Sequence, residues 1–243
     1  MNTVRNSLIK QTKKCIARTK LRGFKLISVI AVSSFLIACS DNDGVAKVGY
    51  EVEIVNLTHN QPFSPLALRA HGANFKAWSI GEPASLGIEY IAEAGDNTEF
   101  LGRASSKKSA TGTGIIGPGE TALIDLGSKE TDQYLTAVTM LVNTNDAFAG
   151  VTGFDLSDLA VGDKTEVYLP IYDSGTEAND ELAGTIPGPA DGGAGFNAER
   201  NDVDYVAMHP GVVGLDDGYS DSVLNSSHKF DGPAAKLMVT RIK

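Results

Sequence analysis

Apolar and polar positions alternate along this chain in short runs. Between Lys47 and Thr58, Tyr50, Val52, Ile54 and Leu57 are apolar, while Glu51, Glu53 and Asn56 are polar. Period-2 alternation with β-branched residues marks a half-buried strand. Ser64–His71 reads as a second strand, and Glu120–Leu126, Tyr134–Val142, Thr165–Ile171 and Ala235–Ile242 as further ones. Gly and Pro punctuate between them, as at Gly117-Pro118-Gly119 and Gly127. Glu82–Ala94 differs: Leu86, Tyr90 and Ile91, with Ala84, Gly87 and Ile88, fall at helical spacing, and Gly95 supplies a stop. Many short strands with turn signals predict an all-β fold, an antiparallel β-sandwich with one short helix.

Residues 172–233 have another texture. They hold Ile186-Pro187-Gly188-Pro189, Asp191-Gly192-Gly193-Ala194-Gly195 and the acids Asp202, Asp204, Asp216, Asp217 and Asp221. This is a long Gly/Asp-rich loop before the last strand, and loops of that length are usually functional or disordered. No internal repeat or second domain is visible.

The N-terminal segment belongs to a different grammar. Residues 1–38 carry eight Lys/Arg and no Asp/Glu, and end in a 13-residue apolar run from Leu26 to Ala38. A basic start, a short apolar run and a small residue at the cut describe an export signal. The run falls short of the roughly 20 residues of a membrane span. Leu36-Ile37-Ala38-Cys39 resembles the lipobox of bacterial lipoproteins. That resemblance implies cleavage before Cys39, a diacylglycerol on its sulfur and a third acyl chain, such as palmitate, on the new N-terminus. The expected organisation is a signal peptide over 1–38, a small polar tether over 39–46 and one domain over 47–243. Ser40, rather than Asp, after the lipidated Cys fits outer-membrane sorting in a Gram-negative bacterium. An ordinary signal peptide with a chance Cys is the plainer alternative.

Cleavage changes the charge. Without the eight basic residues, 13 Lys/Arg face 30 Asp/Glu, so the full-length net of −9 becomes −17. Such a chain avoids nucleic acid and bare anionic lipid, both polyanions. Membrane attachment then rests on the acyl chains, and stable anchoring takes more than one. The chain has two cysteines; Cys15 leaves with the signal and Cys39 is acylated, so the domain relies on its core rather than on disulfides.

Several motifs carry little. Gly112-Thr113-Gly114-Ile115-Ile116-Gly117 matches G-x-G-x-x-G, but Pro118-Gly119 stops any following helix, so it reads as a turn between strands. His59, His71, His209 and His228 show no zinc-pair spacing, and His71 is expected to pack or hydrogen-bond within its strand. No G-x-S-x-G elbow occurs. Glu82 and Glu93 would stand three turns apart on one helix, too far for shared acid–base chemistry; they read as a cap neighbour and a solvated helix charge.

Loop carboxylates at strand ends carry more. Asn143-Thr144-Asn145-Asp146 follows one apolar strand, and Tyr172-Asp173-Ser174-Gly175-Thr176-Glu177 follows another. Calcium takes six to eight oxygens from carboxylates and carbonyls. Asp173 and Glu177 flank a Gly turn that lets one loop wrap an ion, with Asp146 closing from a neighbouring loop. On composition alone, acidic residues placed in turns outweigh that reading.

Three blocks change the balance. Ser79-Ile80-Gly81-Glu82-Pro83-Ala84-Ser85, Met140 to Gly150 (with Asn145-Asp146-Ala147-Phe148-Ala149-Gly150) and Tyr172-Asp173-Ser174-Gly175-Thr176-Glu177 resemble the spondin N-terminal domain. So do Pro62-Phe63-Ser64-Pro65, His71, Gly87 and Ala92-Glu93-Ala94-Gly95, over about residues 48–242. The resemblance implies a C2-like β-sandwich with calcium held by loops at one end. In animal spondins this domain sits in secreted matrix proteins and serves adhesion and binding. The family's calcium ligands fall on Asp146 and Asp173; its third acid, an Asp, is Glu177 here, one methylene longer. The chain lacks the cysteines and thrombospondin repeats of the animal proteins, so their partners do not carry over, and the 184–200 segment has no family counterpart.

The expected function is a non-enzymatic, calcium-binding adhesion or binding module, lipid-anchored at the cell outer membrane, with an unknown protein or glycan ligand and no nucleic acid. An envelope hydrolase using loop carboxylates, or a passive structural lipoprotein, are the alternatives.

Overall fold

The alternation in the first run becomes the central strand of a sheet. In β1 (Lys47–Asn56) every second side chain from Val48 to Asn56 is buried. Its neighbours are β4 (Thr121–Lys129) and β10 (Ala235–Arg241), and β7 (Lys164–Leu169) completes an antiparallel sheet in the order β4-β1-β10-β7. Register aligns the inward faces: Val52 stands opposite Ile124 on one side and Val239 on the other. The coordinates are a computed structural model that describes residues 47–102 and 108–243. The expected signal peptide 1–38, Cys39 and the 39–46 tether lie outside the described residues.

The second sheet comprises β2 (Ala67–His71), β3 (Ser109–Thr111), β5 (Tyr134–Met140), β6 (Ala147–Asp155), β8 (Ile171–Asp173) and β9 (Ala207–Met208). Its order is β3-β2-β5-β6-β8-β9, again antiparallel. Between the sheets Val52, Ile54, Leu126, Leu237 and Val239 share one core with Leu66, Leu68, Leu135 and Ala149. Burying each large apolar side chain favours folding by roughly 1.5–3 kcal/mol. The expected antiparallel β-sandwich is therefore the observed architecture.

Helix α1 (Leu86–Ala94) covers the outer face of the second sheet. Ile88, Ile91 and Ala92 pack with Ala67, Val138, Phe148 and Trp78. β5 is thus buried on both faces from Leu135 to Met140, which is why its sequence holds no charged residue and shows no period-2 alternation. Trp78 meets Phe148 edge-on at 5.1 Å and Tyr172 at 5.5 Å. A Cβ at Gly150 would stand 2.6 Å from the Ala137 carbonyl oxygen and 2.8 Å from Trp78 Cη2, so only glycine lets the indole lie against β6.

Four expectations need correction. The helix starts at Leu86, not Glu82, because residues 79–82 form a turn (Gly81 φ +84°) whose backbone bonds Val206 instead (Gly81 N–H to Val206 O, 2.8 Å; Val206 N–H to Glu82 O, 2.9 Å). A second short helix, α2 (Thr98–Leu101), follows it. The 165–171 run breaks at Pro170, which has no N–H for a ladder, and the chain passes from β7 in one sheet to β8 in the other. β6 was not expected as a strand, because Ala147, Phe148, Ala149 and Gly150 are buried on both faces and leave no polar alternation to mark it.

The long excursion is ordered. Ile186, Val212 and Leu224 form a small core of their own, and Leu182 bridges Ser222. Two 3-10 turns, Leu215–Asp217 and Ser226–His228, shape its later part. All described residues fall in one compact unit, and among them no helix is long and apolar enough to cross a membrane.

Candidate functional site

Strand register brings the two sequence-predicted loops together. Asp173, the last residue of β8, stands opposite Ala147, the first of β6. Asp146 immediately precedes Ala147, so both carboxylates lie at one end of the second sheet. The Ser174 N–H reaches the Asp146 carbonyl at 3.3 Å.

The turn after β8 folds around Asp146. Asp146 Oδ2 accepts from the Ser174 hydroxyl (2.8 Å), the Thr176 N–H (2.9 Å) and the Glu177 N–H (3.1 Å). Asp146 Oδ1 is buried and has no partner. Gly175 makes the turn possible: its φ is +71°, and a Cβ there would stand 2.3 Å from the Tyr205 carbonyl oxygen. Burial, and then the charge of Asp173, push the Asp146 carboxyl up from 3.8 to about 7, against the pull of those hydrogen bonds.

Asp173 accepts from the Gly175 N–H (2.7 Å) and from Asn179 Nδ2 (2.5 Å), yet burial still raises its pKa. Glu177 is half-buried; desolvation, then Glu93, Asp146 and Asp180, push it from 4.5 to about 8. All three expected residues therefore border one region.

Glu93 joins them, and sequence reasoning missed it. Expected as a solvated helix charge, it is fully buried, because the 195–197 segment lies over the end of α1. Its Oε2 accepts the Asn197 N–H at 2.8 Å, its Oε1 has no partner, and burial raises its pKa. Glu82, the imagined partner, is exposed and outside the helix. One signal was available: Glu89 and Glu93 form a like-charge i,i+4 pair on a short helix, unfavourable unless something compensates. Arg200 compensates Glu89, which is buried, and also bonds Asp204.

Among the described residues no Lys or Arg is ion-paired with Glu93, Asp146, Asp173 or Glu177. Buried like charges either take up protons or attract a cation. The local donors are carboxylate, hydroxyl and amide oxygens, the hard set that suits calcium or magnesium rather than zinc. No three His, Cys, Asp or Glu side chains among the described residues stand ready to grip one ion. A cation here would have to complete its shell from other oxygens or from a carboxylate that moves. The unpartnered Asp146 Oδ1 fits such an ion.

A family profile, Spondin_N, the spondin N-terminal domain, matches residues 56–182, just over half of the chain. The chain belongs to the spondin N-terminal domain family. Comparison with curated proteins returns no match. The matched span is narrower than the 48–242 resemblance, but it holds all three blocks and all four acids. Spondin N-terminal domains are binding-type domains, not catalytic ones.

The geometry explains what the spondin blocks do. Asn143 Oδ1 accepts the Ala190 N–H (3.0 Å), and Asn145 Nδ2 donates to Thr185 Oγ1 (3.0 Å) and Asp180 Oδ1 (3.3 Å). These two asparagines rivet the excursion to the β5–β6 turn. Thr144 Oγ1 donates to the Leu141 carbonyl (2.6 Å) and accepts from the Ala147 N–H (3.1 Å), fixing Asp146 at the head of β6. His71 bridges the Gly72 carbonyl and Thr136 Oγ1, each at 2.9 Å, the packing role expected of it.

Proposed function

We propose that this spondin-domain chain is a non-enzymatic binding module stabilised by calcium, anchored at the outer membrane of a Gram-negative bacterium by lipid on Cys39. The observation that carries the calcium reading is the group of uncompensated buried acids with Asp146 Oδ1 unpartnered. Asp146 and Asp173 would hold the ion, with Glu177 and Glu93 within the same acidic region. A divalent cation supplies the positive charge that the described residues lack there. It cross-links the β5–β6 turn to the β8 turn and stiffens that rim for recognition of a protein or glycan. Acidic side chains with raised pKa also suit a hydrolase, but Asp146 and Asp173 are closed over by their own turn and offer no face to a substrate.

The anchor and display are tested in cells. Wild-type protein is expected to partition with detergent and Cys39→Ala with the aqueous phase. Protease shaving of intact cells reads the face on which the domain lies. Capture of an envelope or host component in calcium, lost in chelator, supports the binding role. Aqueous partition of the wild type removes the lipid anchor, equal capture in both conditions removes calcium from the binding role, and absent capture in both leaves a passive structural lipoprotein.

A further inference from the structure

Away from the acidic rim, a cleft of about 590 Å³ opens where the chain switches sheets at Pro170. Its walls come from β7, the β8–β9 edge and the segment before β10, with Tyr168, Met208, His209, Pro210, Phe230 and Asp231 among them. The volume lies within the range of ligand pockets. Tyr168 is 52% exposed and Met208 55%, and Phe230 meets the His209 ring edge-on at 5.1 Å.

His209 gives the cleft its chemistry. Its Nδ1 accepts the Gly211 N–H at 3.0 Å, so the ring proton sits on Nε2. Nε2 is therefore a donor and not a metal ligand. It has no partner and is sealed from solvent. Burial pulls the imidazole down from 6.5 to about 4, so it stays neutral at physiological pH. An unmet buried donor is unfavourable, a deficit that a ligand acceptor removes. Reaching Nε2 requires a neighbouring side chain to move.

The walls select among ligands. Only Tyr168, His209 and Asp231 contribute a polar side chain. A sugar would leave most of its hydroxyls desolvated and unpaired there. An extended proline-bearing peptide fits better. Its polyproline II backbone has no internal hydrogen bonds, so its carbonyls are free to accept, and proline rings dock on aromatic-lined grooves. Asp231 and the net charge of −9 favour a basic residue beside the prolines. We propose that this cleft docks an extended proline-rich peptide carrying a flanking Arg or Lys, with one backbone carbonyl accepting from His209 Nε2–H. The proposal rests on the binding-module reading but not on calcium.

The test is titration calorimetry of the purified domain in chelator with an acetylated hexaproline–arginine peptide. Saturable binding is expected. Tyr168→Ala should weaken it by about tenfold, His209→Phe, which keeps a ring but removes the donor, by about two- to tenfold. Asp231→Lys should weaken the arginine peptide but not the same peptide ending in alanine. Circular dichroism melts confirm that each variant folds; Tyr168 and Asp231, both exposed, are the variants least able to disturb the core. Absence of peptide binding, binding indifferent to both Tyr168→Ala and Asp231→Lys, or preferential binding of chito- or cello-oligosaccharides would overturn the proposal.

Discussion

Replacing Asp146 by Asn separates the two tasks of its side chain. The amide oxygen of Asn keeps an acceptor for Ser174, Thr176 and Glu177, while the charge disappears. In the metal-free protein that charge is a liability. The Asp146 carboxyl sits at about 7 in the folded chain, against an ordinary aspartate value of 3.8. A raised pKa means that the folded state holds the proton more tightly than the unfolded state. The resulting stability is fully present below about pH 4 and is lost as pH rises through about 7. Three pH units at about 1.36 kcal/mol each give an upper bound of about 4 kcal/mol. Glu177 acts in the same direction, lessened by its partial exposure. In chelator, Asp146→Asn should therefore match the wild type only at or below about pH 4 and exceed it at pH 8 by about 2–4 kcal/mol. For a domain of this size that is about 5–15 °C in Tm. Urea melts and scanning calorimetry at both pH values are the assay. An Asn variant less stable than the wild type at pH 8 in chelator would refute the reasoning, because the carboxylate would then be a net stabiliser as it stands.

Three other perturbations probe the scaffold. Gly150→Ala drives a methyl into the Ala137 carbonyl and Trp78, and should lower stability by about 1–3 kcal/mol; Trp78 is the only tryptophan in the chain, so a shift in its emission reports the displacement. Arg200→Ala strands buried Glu89 and should lower stability by about 3–5 kcal/mol, whereas the Glu89→Leu/Arg200→Met pair should recover most of that loss in urea melts. Asn145→Ala frees its bonds to Asp180, Glu181 and Thr185 and should lower stability by about 1–3 kcal/mol, with faster hydrogen exchange confined to residues 178–190.

The sequence disclosed what local pattern alone can carry. β1 and β10 were legible because each has one face in the core and one outside it, so alternation survives in the residues. β6 was not, because α1 and Trp78 cover its second face and small residues replace the alternation. Asp146 and Asp173 were legible as strand-end acids within the spondin blocks, and antiparallel register then made them neighbours. Glu93 was hidden because its burial comes from residues about a hundred positions later, where Asn197 closes over α1. A separation of 35 to 40 positions likewise hid the tie between Asn145 and the 180–185 segment. The texture of residues 172–233 suggested freedom; its order comes from three scattered apolar residues, Ile186, Val212 and Leu224, that no periodicity links.

The most direct test of the account is isothermal titration of calcium into the chelator-stripped domain at pH 7.5, paired with melts in calcium and in chelator. The wild type should bind calcium saturably and, at 100 times the dissociation constant, gain about 2.7 kcal/mol of stability. Asp146→Asn and Asp173→Asn should each lose both signals while remaining folded. No calcium heat and no shift in the wild type, or an undiminished response in both variants, would contradict the assignment of this acidic rim as a cation site.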